Sequence, residues 1–353
     1  MMRFGCQLVT YGDVERTLRY AVRAEECGFD TVTVPDHLFH PLTDVFLTKP
    51  PWDAFAVLAA IAVQTERVRL MPAVADSVRR HPAVLAHMAA TLDHLSRGRM
   101  ILGLGAGEAY NVVPLADSRW DRPYARFREA LALIRALWAS TREEPVSFEG
   151  EYFNVEGAHQ SLKPLQQPGP PIYVGGYGPR MRRLTGAEGD GWVPWIYSTE
   201  AYREDLRLIQ ESARRAGRDP SEVDATAIIP TVVLPDADRA LELALPRNRM
   251  TLALRGPLLR RLGYPELADR VTENWRVAFT GEEVRRVQEV AAEIPPEAVE
   301  KVIVAGTAED AVERIDEYRR AGVSHFIALP LVDAFEETAE AFRDQVIPYF
   351  RGE

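Results

Sequence analysis

Two short stretches hold the side chains best suited to proton chemistry. The run PDHL places a carboxylate beside an imidazole at Asp36 and His37. The run GLGAGEAYN places glycines at 103, 105 and 107 ahead of Glu108 and Asn111. An imidazole gives or takes a proton near neutral pH, and a carboxylate in a pocket does the same. Glycine at every second position strips side chains from one side of a strand end, so main chain can approach a flat ligand closely. Each feature also has a plainer reading. Asp36 and His37 would then only hold a loop, and Glu108 would be a surface carboxylate where a loop starts.

Two further stretches bear on ligand binding. In YVGGYGP, Gly175, Gly176, Tyr177 and Gly178 precede a helix expected to begin near Pro179. Backbone N–H groups at a helix start attract phosphate, although an ordinary strand-to-helix turn has the same composition. In LMPAVADSV, Pro72 falls inside an apolar run that reads as a strand. Proline removes a ladder donor there, so the position signals a bulge, a bend or an unusual peptide bond, or a plain kink at the strand end. His81, His87 and His94 are spaced by six and seven residues, which does not make a metal-binding helix face. His40 reads as a loop residue. No CxxC, GxSxG or Walker A pattern occurs, and GxGxG lacks the GxGxxG spacing of a dinucleotide fold.

These residues must be positioned by a regular alternation of elements. RFGCQLV, DTVTVPDH, RVRLMPAVA, RMILGLG, PIYVGG, GWVPWI, DATAIIPTVVL and SHFIALPL read as strands, and amphipathic helices separate them. Asp13 and Gly28 bracket the first helix, and Thr307 with Asp310 is close to a capping box. Repeated βα units force parallel strands and right-handed crossovers, and eight of them suit a closed α/β barrel better than an open doubly wound sheet. The chemistry of such a barrel sits at the carboxyl ends of its strands, where all the stretches above fall. Residues 1–353 read as one barrel domain, with a mostly helical, Arg-rich insertion over 236–296.

Composition narrows the function classes. The chain has 353 residues, a formal charge of −10, and lysine only at Lys49, Lys163 and Lys301. An acidic chain with scattered arginines argues against nucleic acid as a partner. No apolar run approaches the roughly 18 residues of a membrane span, and the N-terminus lacks a long apolar core. Cys6 and Cys27 read as buried thiols in a reducing compartment. A cytoplasmic enzyme acting on a small molecule, without a metal, is the expectation.

The stretches VPDHL, RRHPAVLAHMAATLDHLSRGRMILGLGAGEAYN, FEGEYFNVEG, PIYVGGYGP, GAEGDGW and IVAGTAEDAVERIDEYRRAGVSHF together resemble the bacterial-luciferase-like superfamily. Within it the chain is most similar to the branch that uses coenzyme F420, which includes glucose-6-phosphate dehydrogenases, methylenetetrahydromethanopterin reductases and phthiodiolone-type ketoreductases. The resemblance covers nearly the whole chain outside 236–296. GxGxGEAxN is its most specific piece, whereas the FxGxYFxV and AGDGW-like pieces also occur in flavin-dependent members.

The resemblance implies a TIM barrel with the coenzyme across its carboxyl face. It also implies a non-proline cis peptide in the third strand, near Pro72 and Ala73, where Pro72 departs from the usual small residue. Asp36, Pro72, Ala73, Ala106, Gly107 and Asn111 would meet the coenzyme ring or its linker. Gly175, Gly176, Tyr177 and Gly178 would hold its phosphate, and His37 and Glu108 would be the acid/base residues. The implied reaction is hydride transfer between F420 and a carbonyl, alcohol or imine carbon, in a homodimer. Two alternatives remain open: an FMN-dependent monooxygenase, and a sugar-phosphate dehydrogenase using Lys301 with Arg255, Arg260 and Arg261.

Overall fold

The computed structural model describes residues 1–9, 12–39, 51–115, 119–271 and 281–352; His40, Pro41, Pro50 and Trp275 lie outside them. The strands are β1 (Arg3–Gln7), β2 (Thr31–Val34), β3 (Arg69–Pro72), β4 (Ala75–Asp76), β5 (Leu102–Gly105), β6 (Val146–Glu149), β7 (Asn154–Ala158), β8 (Ile172–Gly175), β9 (Gly191–Trp192), β10 (Asp224–Val233), β11 (Val304–Gly306) and β12 (His325–Pro330). Strands β6 and β7 form an antiparallel hairpin outside the main sheet.

The main sheet runs β3-β2-β1-β12-β10-β9-β8-β5-β4, with β11 beside β10. Every pairing in it is parallel. β3 pairs with β2 and β4 pairs with β5, and only Ala73 and Val74 separate β3 from β4. They therefore act as one interrupted strand that closes the ring, an α/β barrel of the TIM type. The break in the third strand is sharper than a bulge, and the cis peptide bond is Ala73–Val74, one bond beyond the Pro72–Ala73 pair.

The strands are apolar and β-branched because both of their faces are covered. All four residues of β2 are buried, as are nine of the ten in β10. Met71, Ile101, Tyr173, Val193, Ile228 and Ile327 fill the barrel interior, and a larger apolar layer lies between the strands and the helices. Helix ends follow local chemistry. Asp13 caps the helix Val14–Glu26, Gly28 turns out of it with φ +85°, and Thr307 and Asp310 form a reciprocal capping box. Cys6 and Cys27 are both buried free thiols, and burial holds each above the usual thiol pKa. Among the described residues no helix is long and apolar enough to cross a membrane.

One end of the barrel is plugged by polar groups. Asp224 accepts from the Tyr173 hydroxyl at 2.5 Å, pairs with Arg3 at 2.6 Å, and lies 3.5 Å from His325 Nδ1. These residues stand at the starts of β1, β8, β10 and β12, so this is the amino end of the barrel. Between β10 and β11 the chain forms the helices Ala237–Ala253, Gly256–Arg261, Pro265–Asp269, Gly281–Glu293 and Pro296–Glu300.

The alternate glycines have a job that the sequence did not reveal. A Cβ on Gly103 would sit 2.0 Å from the backbone oxygen of Pro72, and one on Gly105 would sit 2.7 Å from Val74 Cγ2. Gly175 faces Val74 in the same way, at 2.8 Å. These glycines make room for the interrupted third strand, which in turn forms the cavity floor. Gly103→Ala is therefore expected to destabilise the fold by about 1–3 kcal/mol or more, since backbone cannot yield. Gly105→Ala, which meets only a side-chain tip, should cost less. Urea unfolding of both variants checks the order.

Candidate active site

The carboxyl end of the barrel encloses a cavity of about 880 Å³. Asp36, His37, Ala73, Ala106, Gly107 and Glu108 lie in its wall, as do Asn111, Gly175, Gly176, Tyr177 and Gly178. Of the residues marked in the sequence, Pro72 is not in the wall. It is the last residue of β3, and Ala73 and Val74 stand between it and the opening.

The reactive groups converge after β2 and β5. Glu108 ends the glycine run and opens the short helix Ala109–Val112, whose second and third residues are Tyr110 and Asn111. The Tyr110 hydroxyl donates a short hydrogen bond to Glu108 Oε2, and Asn111 Nδ2 donates to the same oxygen at 3.2 Å. Asn111 Oδ1 accepts from the backbone N–H groups of Leu38 and Phe39, both at 2.9 Å. Those two bonds fix the amide, so that its Nδ2 faces Glu108 and His37. His37 Nδ1 lies 3.3 Å from Asn111 Nδ2, 3.3 Å from the Tyr110 oxygen and 3.5 Å from Glu108 Oε2. His37 Nδ1 thus faces one donor, Asn111 Nδ2, and two oxygens, those of Tyr110 and Glu108. Asn111 is 2% exposed, so its ties between the two loops are shielded from water.

Asp36 plays a different part from its neighbour. Its side chain is 1% exposed, and its carboxylate accepts from Arg79 Nη2 at 2.8 Å and from both terminal nitrogens of Arg80, with Nη2 at 3.0 Å. Arg80 also reaches Asp53 at 2.7 Å, and Asp53 caps the helix Ala54–Ala62. This buried network fastens the end of β2 to the end of β4. Arg79 and Arg80 were missed as site residues, although the pair stands out in RRHP directly after the third strand.

The far wall is built from the ends of β8 and β9 and from the helices between β10 and β11. The Tyr177 hydroxyl donates to the Trp195 carbonyl at 3.1 Å and accepts from the Trp195 N–H at 3.2 Å. Arg255, only 3% exposed, donates to that same carbonyl and lies 3.8 Å above the Tyr177 ring. Burial pushes the Tyr177 hydroxyl above its usual pKa, so it stays neutral. Arg182 and Arg261 also stand in the wall, but both are committed to the buried carboxylate of Asp205, which accepts from the Tyr197 hydroxyl as well. Arg260 pairs with Asp269, and neither Arg260 nor Lys301 lines the cavity. Trp195 lines it, whereas Trp192 is core. Trp120, which donates to the Ala106 carbonyl at 3.3 Å, joins the wall from outside any motif.

A large cavity floored by main chain, with a carboxylate and an imidazole held on one rim, suits a flat ligand undergoing proton-coupled chemistry. Known proteins point the same way. Residues 1–325 match the luciferase-like monooxygenase family. The chain is 35% identical over 284 residues to the phthiodiolone/phenolphthiodiolone dimycocerosates ketoreductase of Mycobacterium kansasii, covering 79% of this chain and 76% of the relative. It is 33% identical over 341 residues to the F420-dependent glucose-6-phosphate dehydrogenase of Amycolatopsis mediterranei, covering 95% and 94%. A solved F420-dependent secondary alcohol dehydrogenase, in complex with an F420-acetone adduct, superimposes with a TM-score of 0.79 at 28% identity, over 97% of this chain and 99% of that one. The chain belongs to the luciferase-like monooxygenase family.

Proposed function

We propose that the protein is an F420-dependent oxidoreductase that moves a hydride between the coenzyme and the carbonyl, alcohol or imine carbon of a small organic substrate, while Glu108 and His37 handle the accompanying proton. The observation that carries this reading is the convergence of Tyr110, Asn111 and His37 on Glu108 Oε2 at the rim of the cavity.

The cavity fits the coenzyme. Its volume is in the range of sites that bury a large ligand, and its wall at 105–107 and 175–176 is side-chain-poor. At Gly178 a side chain would meet open space, at the start of the ten-residue helix Pro179–Glu188, where N–H groups favour phosphate. Ala73, Ala106, Gly107 and Asn111 would border the ring, and Gly175 to Gly178 the phosphate. When bound, the deazaflavin supplies a hydride donor or acceptor carbon that does not readily activate oxygen. Glu108 is held by two donors on one oxygen, which aims its carboxyl group and fixes where the proton sits. In the reducing direction it delivers that proton to the substrate oxygen or nitrogen, and in the oxidising direction it accepts it. His37, 3.5 Å away, passes the proton onward. The Asp36–Arg79–Arg80 network holds the loop that carries His37. Assembly as a homodimer belongs to the same reading.

A sugar phosphate as substrate has less support: Lys301 and Arg260 stand outside the wall, Arg261 is paired with Asp205 and Glu204, and of that set Arg255 remains in the wall, where it donates to the Trp195 carbonyl and stacks on Tyr177. A panel of secondary alcohols with oxidised F420, and of ketones and imines with reduced F420, tests this at the coenzyme's absorbance band. Turnover of members of that panel is expected. Turnover of glucose-6-phosphate alone would contradict the substrate class.

A further inference from the structure

We propose that Tyr110 is a proton-relay residue: its hydroxyl carries the proton between His37 Nδ1 and Glu108 Oε2, and His37 acts through it. The relay rests on the F420 reading above, with Glu108 and His37 in their proton roles, and adds the group that joins them.

Tyr110 stands two positions after Glu108, in the helix Ala109–Val112, and lies in the cavity wall with only 6% exposure. Its hydroxyl donates a short hydrogen bond to Glu108 Oε2, and its oxygen lies 3.3 Å from His37 Nδ1. The two rings pack with centroids 6.0 Å apart at 29°, which holds the bridge in place. The direct separation of His37 Nδ1 from Glu108 Oε2 is 3.5 Å, longer than either leg of the bridge. Asn111 Nδ2 also reaches both groups, but an amide nitrogen only donates. A hydroxyl donates and accepts at one atom, so Tyr110 can pass a proton where Asn111 cannot.

His37 Nδ1 has a contact for each of its states. When protonated, Nδ1–H donates to the Tyr110 oxygen. When deprotonated, its lone pair accepts from Asn111 Nδ2 at 3.3 Å. The imidazole is therefore held in one place before and after it gives up the proton.

In the reducing direction the substrate oxygen or nitrogen takes the proton of Glu108 from Oε1, the oxygen that the two donors leave. The Tyr110 O–H bond breaks as its proton passes to Oε2. The His37 Nδ1–H bond breaks as its proton passes to the Tyr110 oxygen. Glu108 and Tyr110 end neutral, and His37 goes from cation to neutral. Water reloads the imidazole, whose side chain is 21% exposed, and a half-turn of the carboxyl group resets its oxygens. In the oxidising direction every transfer reverses.

Tyr110→Phe keeps the ring and removes only the hydroxyl. It is expected to lower kcat by about tenfold or more, with KM and the Kd for F420 held within about twofold. A cycle with His37→Asn gives the readout that a structural role would not move. His37→Asn should lower kcat in the wild-type background, but by less than about twofold further once Tyr110 is Phe. Losses that multiply would overturn the relay, as would an unchanged kcat in Tyr110→Phe. A loss that appears equally in the Kd for F420 would make Tyr110 a wall residue only, and would overturn it too. A second measurement needs no variant: the single-turnover rate of hydride transfer in mixtures of light and heavy water. Several protons moving together give a curved dependence on the deuterium fraction, which is the expected result. A straight line, or no dependence, would overturn the relay even if the variant failed to fold. Glu108→Gln protein as active as the wild type, or wild-type protein that bound no F420, would instead remove the underlying reading, and the relay with it.

Discussion

Glu108→Gln is expected to lower kcat by about a hundred- to ten-thousandfold while leaving the Kd for F420 unchanged. Glutamine has the shape of glutamate, and its side-chain oxygen still accepts from Tyr110 and Asn111, so the rim keeps its geometry. On the proposed reading, what disappears is the exchangeable proton of Glu108. A pre-steady-state measurement of coenzyme reduction or oxidation separates chemistry from product release, and the loss should lie in the chemical step. His37→Asn is expected to lose less, because Glu108 retains its two donors and only the onward transfer is cut. Should the two substitutions leave kcat intact, Glu108 and His37 would be structural, and the proton would come from solvent.

The second large effect concerns stability. Asp36→Ala removes the shared partner of two arginines whose side chains are only 8% and 14% exposed. Breaking a buried pair by deleting one partner leaves uncompensated charge and typically costs about 3–5 kcal/mol. The loss here should fall in that range, because among the described residues Arg79 is left with Asp76 at 3.8 Å and Arg80 with Asp53 at 2.7 Å. Urea unfolding gives the number. A double-mutant cycle with Arg80→Ala should recover part of the loss, since removing both charges relieves the stranded one. Additive losses would mean that the contact contributes little. The network also positions His37, so Asp36→Ala protein that still folds should show a lower kcat.

Much of this was legible in the residues. Strand and helix alternation led to the barrel because parallel strands covered on both faces must be apolar and short, and their ends place PDHL, GEAYN and GGYG on one rim. The capping residues Asp13 and Thr307 were readable for the same local reason. The packing partners were not. That Gly103 abuts Pro72 and that Gly105 and Gly175 abut Val74 depends on contacts between strands, which one sequence does not display. The glycines therefore looked like a ligand platform, whereas their first task is to admit the broken third strand. Pro72 flagged that break, but the cis bond falls one step later. Nothing in the sequence paired Arg79 and Arg80 with Asp36, because that pairing depends on how the ends of two strands meet in the fold. The insertion misled in a similar way: Arg255 sits in an arginine-rich stretch that reads as solvated, yet it is buried against Tyr177 and helps close the cavity.

The central claim is that the carboxyl end of this barrel is shaped for a deazaflavin. Equilibrium titration of the purified protein with F420 and, separately, with FMN, followed by ligand fluorescence, tests it most directly. The account predicts saturable binding of F420 at least about tenfold tighter than FMN, a difference of about 1.4 kcal/mol. Tight binding of FMN with weak or absent binding of F420 would contradict it.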